Sequence, residues 1–400
     1  MGGSSTVTRG SITTTADNSG GIQTTGGGTT NAANLTVTTS GNSSAAIRSD
    51  RGGGTVSEDG AYTGTAYTST GDDENTMRID GAAVTLDGIT VDKSAGATSD
   101  TENGDFYGVN AALLATNGAN VTITNATVTS SVQNGNGVFS YGSGTTVNIS
   151  DSTITTTADN SGGIQTTGGG TTNAANLTLT TSGNSSAAIR SDRGGGTVSV
   201  DGGSYTSNGY NSPAVYSTAD ITVKNAALTA NNSEALVIEG RNSIALENCN
   251  VIGNMSDTKG GSSEENVHNV MIYQSMSGDA DGALLRVAGN SASHGWGTAG
   301  SNGAQVEFTA DGQTLNGDIE VDTISTLHMT LTNGSSLTGT VNIVDNAQNG
   351  TAVSDNAVVV VESGCTWTLT GDCTVTSLTN NGTINFNGCT ITLADGTALQ

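Results

Sequence analysis

Val121-Thr122-Ile123-Thr124-Asn125-Ala126-Thr127-Val128 is the stretch on which the fold turns. Two apolar residues alternate with threonine, an asparagine follows, and a third apolar residue stands seven positions after the first. Alternation of this kind makes a strand with one face inward. Asparagine tolerates the left-handed backbone conformation, so the strand is expected to turn a corner at Asn125 and run on to Val128. The pattern recurs at Val84, Leu86, Val91; Val147, Ile149, Ile154; Val198, Val200, Tyr205; Ile221, Val223, Leu228; and Ile244, Leu246, Val251. At the corner these copies carry Gly88, Asp151, Gly202, Asn225 and Asn248, all residue types suited to that turn.

Upstream of each alternating pair lies a second short apolar stretch, at residues 111–114, 137–139, 162–164, 187–189, 213–215 and 234–238. Each period therefore carries about three short strands, and the starts at 198, 221 and 244 are 23 residues apart. With no helical periodicity between them, these features predict an all-β chain folded as a single-stranded parallel β-helix, a β-solenoid with coils stacked about 4.8 Å apart. About 16 or 17 such coils would make a rod on the order of 80 Å long. The step of 37 residues from Val84 to Val121 predicts a loop thrown out of the coil, rich in charge at Asp100, Glu102 and Asp105.

A coarser repeat supports the same architecture. Residues 12–57 recur as 154–199 with one change, Val37 to Leu179. A stacked solenoid absorbs such a copy, whereas a globular core would need a second set of partners for it. The expected organisation is repetitive coils over 1–265, less regular coils with an excursion loop over 266–304, and C-terminal coils over 305–400. Cys365 and Cys389 open similar phrases 24 residues apart. If 24 is one coil there, the two sulfurs stack as buried thiols or as a disulfide.

Composition bounds the function. Eleven Lys and Arg against 36 Asp and Glu give a net charge of −25, which repels phosphate backbones and anionic bilayers and excludes nucleic-acid binding. The longest strongly apolar run, 357–361, is far short of the roughly 20 residues that cross a membrane as a helix, so no membrane insertion is expected.

Candidate ligand-binding residues are few. Arg48-Ser-Asp-Arg51 and its copy Arg190-Ser-Asp-Arg193 offer guanidinium groups for an acidic sugar, unless Asp50 and Asp192 neutralise them on the coil surface. Trp296 beside His294, in a glycine-rich excursion, is either a stacking platform for a sugar ring or a cover over the solenoid. Asp72, Asp73 and Glu74, and Asp100, Glu102 and Asp105, supply the hard oxygen ligands calcium prefers, but neither set matches a known calcium loop. Solvated acidic loops are the alternative, and no other cofactor is implied.

Two longer phrases, Ser212-Pro-Ala-Val-Tyr-Ser-Thr-Ala-Asp-Ile-Thr-Val223 and Asn269-Val-Met-Ile-Tyr-Gln-Ser-Met-Ser-Gly-Asp279, resemble stretches of secreted bacterial β-helix proteins of the adhesin-like type. The resemblance covers most of residues 143–345. It implies a right-handed β-helix of the pectate-lyase superfold displayed outside the cell or on a bacterial surface, and it brings no catalytic motif. Three functions follow as expectations. The first is a non-catalytic adhesin-like or stalk module presenting loops to a glycan or a host or cell-surface protein. The others are a polysaccharide lyase or hydrolase, and a fibre subunit associating end to end.

Overall fold

The computed structural model describes residues 4–25, 28–42, 44–50, 54–57, 66–233, 235–238, 242–253, 270–272, 283–289, 300–301, 303–346 and 348–400. The chain divides into two compact units, Met1–Ser212 and Pro213–Gln400. Each is built almost wholly of short parallel strands wound as a right-handed β-helix, about three strands to a coil. No helix among the described residues is long and apolar enough to cross a membrane.

In the first unit the alternating sequences lie in one sheet and the upstream stretches in another. Asn120–Thr124 pairs in register with Ala83–Asp87 on one side and Thr146–Ser150 on the other, so that Val84, Val121 and Val147 stack, as do Leu86, Ile123 and Ile149. These residues and the +7 positions Val91, Val128, Ile154 and Tyr205 are buried. The second sheet stacks Met77, Leu113, Val138, Ile164 and Ile189. The expected corners are left-handed at every position, with φ of 66° at Gly88, 53° at Asn125, 50° at Asp151 and 76° at Gly202. Asx side chains also tie neighbouring corners together, Asn125 Nδ2 donating to Asp87 Oδ1 at 2.7 Å and Asn176 Nδ2 to Asp151 Oδ1 at 3.3 Å.

One coil of this unit is missing from the apolar pattern. Between Val147 and Val198 the structure stacks Thr172 and Ala174, both buried. Threonine is tolerated there because its Oγ1 meets that of Thr166 at 2.7 Å, and Thr24 and Thr30 make the same bond in the duplicated copy. Hydroxyls form a longer interior column at another corner. Thr39, Ser69, Lys93, Ser130, Thr156, Thr181 and Ser207 follow one another in register and all are buried. Six of the seven are small alcohols; Thr156 and Thr181 each donate to the carbonyl five residues on, at 2.5 Å, and Ser69 shares a hydrogen bond with the Thr76 hydroxyl at 2.7 Å. Lys93 is the exception.

The second unit begins with 23-residue coils, Ile221 stacking on Ile244 and Val223 on Leu246, with left-handed corners at Asn225 and Asn248. Val270–Ile272 departs from the pattern by pairing antiparallel with both Leu236–Ile238 and Ala283–Val287. Toward the C-terminus the coil shortens. Val358 stacks on Ser377, Thr366 on Thr383 and Cys373 on Ile391, steps of 19, 17 and 18 residues.

That shortening corrects the expected cysteine stack. Cys365 precedes Thr366–Thr368, whose neighbour is Thr383–Asn385, whereas Cys389 precedes Ile391–Leu393, which lies in another sheet beside Cys373–Val375. All four cysteines are free thiols, and burial pushes that of Cys373 up to about 11. Trp367 fills the interior of the short coils, fully buried with its Nε1 donating to the Gly339 carbonyl at 3.0 Å.

Candidate functional site

The 37-residue step carries the chain's one helix among the described residues, α1 (Thr101–Tyr107). Asp100 caps it by accepting the Glu102 N–H at 2.9 Å, and Gly108 ends it in the left-handed region at φ 72°. Tyr107, 40% exposed, sets its ring edge-on to Tyr141 with centroids 5.3 Å apart. Gly104 is buried against Asn134, where a Cβ would come within 2.5 Å of the asparagine's own Cβ, so only glycine lets the helix approach this closely.

Polar contacts then seat α1 across later coils of the first unit. The carbonyls of Asp105 and Phe106 accept from Gln165 Nε2 at 2.5 Å and Thr167 Oγ1 at 2.7 Å, which satisfies groups a helix end leaves open. Asp105 Oδ1 accepts from Asn134 Nδ2 at 2.8 Å and lies 3.9 Å from Arg190 Nη1. Arg190 gives Nη2 to Asp192 at 2.8 Å. Arg193 pairs with Glu102 at 3.3 Å and lies over the Phe106 ring, 3.8 Å from its centroid. Burial pushes the Asp105 carboxyl above its ordinary value, while Arg190 and Asn134 pull it back.

Two sets of candidates are thus one structure. Arg190 and Arg193 on one side, and Glu102 and Asp105 on the other, neutralise each other at the α1 seat, with Asp100 spent on the helix cap. The acids of the preceding turn are engaged as well: Asp72 Oδ1 accepts from the Ala97 N–H at 2.6 Å and Asp73 Oδ1 from that of Ser99 at 2.8 Å. Each fastens the turn of the next coil. Glu74 is fully buried, its Oε2 accepting from the Gly71 N–H at 2.6 Å. Among the described residues no three His, Cys, Asp or Glu side chains gather as a group able to hold a metal ion. Arg48 is placed in register between Gln23 and Arg78. Its side chain, and the whole of Arg51, His294 and Trp296, lie outside the described residues.

The seat was hidden from sequence reasoning because its partners are 29, 60 and 91 positions apart. The Arg-x-Asp spacing was the one local signal, since a strand sets such residues on the same face; Arg78 and Asp80 pair likewise at 3.1 Å. Truncating Arg190 to alanine is expected to cost about 1–2 kcal/mol, because it strips a charged partner from the half-buried Asp105. For the more exposed Arg193 the loss should stay near 1 kcal/mol or below. Urea midpoints and protease cutting within residues 94–112 check this: unchanged cutting in the double variant would show that these arginines do not hold α1.

A chain of the cryo-EM structure of the Vag8–C1 inhibitor complex superposes on this one with a TM-score of 0.54. The likeness is one of fold. Sequence identity is 16%, over 96% of this chain and 100% of the other. No protein-family model matches the chain, and no curated protein matches it in sequence.

Proposed function

We propose that the chain is a non-catalytic, extracellular or cell-surface, adhesin-like module whose β-helix holds out lateral surface for recognition of a protein or glycan. The α1 excursion carries this reading. A solenoid coil needs no helix, yet this one builds a capped helix with two exposed or half-exposed aromatic rings and fastens it with charges and amides from three later coils. Such fixed lateral aromatics suit the anchor positions of an interface.

The disposition of the perturbed groups supports binding over catalysis. Catalytic acids and bases are usually displaced from their ordinary values inside a cleft. Here the displaced groups Glu74, Lys93, Tyr205, Cys249 and Cys373 are buried in the coils, Asp105 belongs to the seat, and Asp87 and Asp395 are lowered by the hydroxyl, amide and backbone donors of neighbouring turns. The solved structure of like fold is that of a complex with an inhibitor protein, which makes a protein partner the first class to try.

The test immobilises the chain and passes over it a panel of extracellular proteins and polysaccharides, scoring retention and released sugar ends together. Retention without release is expected, and Tyr107→Ala should weaken it at least tenfold. Saccharide release, or no retention of any member, would overturn the reading.

A further inference from the structure

Beside α1, on the side away from its seat, the first unit has an open cleft of about 400 Å³. Asn18, Ser44 and Asp73 come from the turns of three successive coils, Asn75 and Arg78 from the third coil, and Ser99 and Asn103 from the excursion. The volume is that of a small-ligand site.

Two observations give the cleft a chemistry. First, it is lined by amides and hydroxyls, of which the Asn18 and Asn103 amides and the Ser99 hydroxyl have no partner among the described residues, while Asn75 is fixed by donating to the carbonyls of Gly108 and Ala111 at 2.8 and 2.9 Å. Second, the one cation in the lining, Arg78, gives Nη2 to Asp80, and its Nε is buried without an acceptor among the described residues. A buried donor left unmet costs stability and calls for an explanation. A carboxylate is the group that meets a guanidinium side by side.

We propose that this cleft binds a saccharide bearing a carboxylate, of the uronate or sialate kind, with Arg78 taking the carboxylate and the Asn18, Ser99 and Asn103 side chains taking ring hydroxyls. The free oxygen of Asp73, whose other oxygen holds the Ser99 N–H, accepts from a further hydroxyl. Neutral sugars lack the group that Arg78 recognises, and phosphate lacks the hydroxyls that the amides recognise. The proposal deepens the recognition reading above by naming one ligand class, and it rests on that reading.

Calorimetric titration of the full chain tests it with tetragalacturonate and sialyllactose as probes, and with cellotetraose, lactose and inorganic phosphate as controls. One acidic probe should bind at least tenfold more tightly than its neutral counterpart, and which of the two does so tells a plant or microbial uronate from a host sialoside. Arg78→Gln should weaken that binding at least tenfold and Asn103→Ala about threefold, with unchanged circular dichroism showing that both variants fold. Equal binding of acidic and neutral probes, binding of neither acid at millimolar concentration, phosphate binding as tight as the saccharide's, or an unaffected Arg78→Gln would each overturn it. Retention of a protein partner by wild type and Arg78→Gln alike, with no acidic saccharide bound, would remove the cleft proposal and leave the recognition module standing.

Discussion

Glu74→Gln is expected to destabilise the first unit by about 3 kcal/mol, and the double variant Glu74→Gln/Lys93→Met to recover to within about 1 kcal/mol of wild type or better. Both side chains are fully buried, at 0% exposure. They meet through Gly71, whose N–H donates to Glu74 Oε2 and whose carbonyl accepts from Lys93 Nζ, each at 2.6 Å. Glu74 Oε1 has no partner at hydrogen-bond distance among the described residues. Removing the acid alone leaves an ammonium in the interior with only the weaker pull of Asp72 and Asp73 to offset its burial, whereas removing both charges leaves an apolar chain of similar volume among the column hydroxyls. Chemical denaturation measures both; a double variant as damaged as the sum of the singles would show that the charges stabilise the coil.

The same pair sets a pH dependence. Burial lowers Lys93 from its ordinary value near 10.5 to about 8, against the pull of Glu74. Below pH 8 folded and unfolded chains both carry the proton, and the burial cost is present in full. Between about 8 and 10.5 only the unfolded chain keeps it, so this residue's contribution rises with pH, by at most about 3 kcal/mol. Burial also raises the Glu74 carboxyl, so its cost is relieved in the opposite direction, as pH falls through that raised value. The wild-type minus Lys93→Met stability difference should therefore climb from pH 7.5 to 9.5.

Gly183→Ala is the second large expectation, a loss of about 3 kcal/mol or more. At this corner successive coils approach so closely that a Cβ on Gly183 would stand 1.8 Å from the Ala158 carbonyl oxygen, and one on Gly209 1.8 Å from that of Gly183. The obstacle is backbone, which relaxes only by parting the coils and their stacked hydrogen bonds. Gly118→Ala is the control. A Cβ there meets nothing within 4 Å, although its φ of 81° charges a smaller penalty of about 1 kcal/mol. Gly183 lies outside the left-handed region, so a loss there no larger than at Gly118 would show that the close approach of the coils costs little.

These glycines show which parts of the fold the sequence discloses. Val121, Ile123 and Asn125 announce a strand and its corner because alternation and left-handed tolerance are local properties. The Thr172 coil escapes that reading because a hydroxyl paired with Thr166 fills an inward position as well as a valine does. The Cys365 and Cys389 phrases mislead for a related reason: shortened coils place the same words on different sheets. At the α1 seat, residue types were legible as candidates, but their mutual neutralisation depends on coils that meet only after winding.

The α1 seat also bears on how the first unit comes apart. In a stack where each coil touches only its neighbours, unfolding frays inward from the ends one coil at a time. Here a single short excursion grips Asn134, Gln165, Thr167, Arg190 and Arg193 on three successive coils. It acts as a cross-brace. Amide protons from residue 113 to residue 192 should then exchange as one cooperative block, and cutting the brace should restore a gradient from coil to coil.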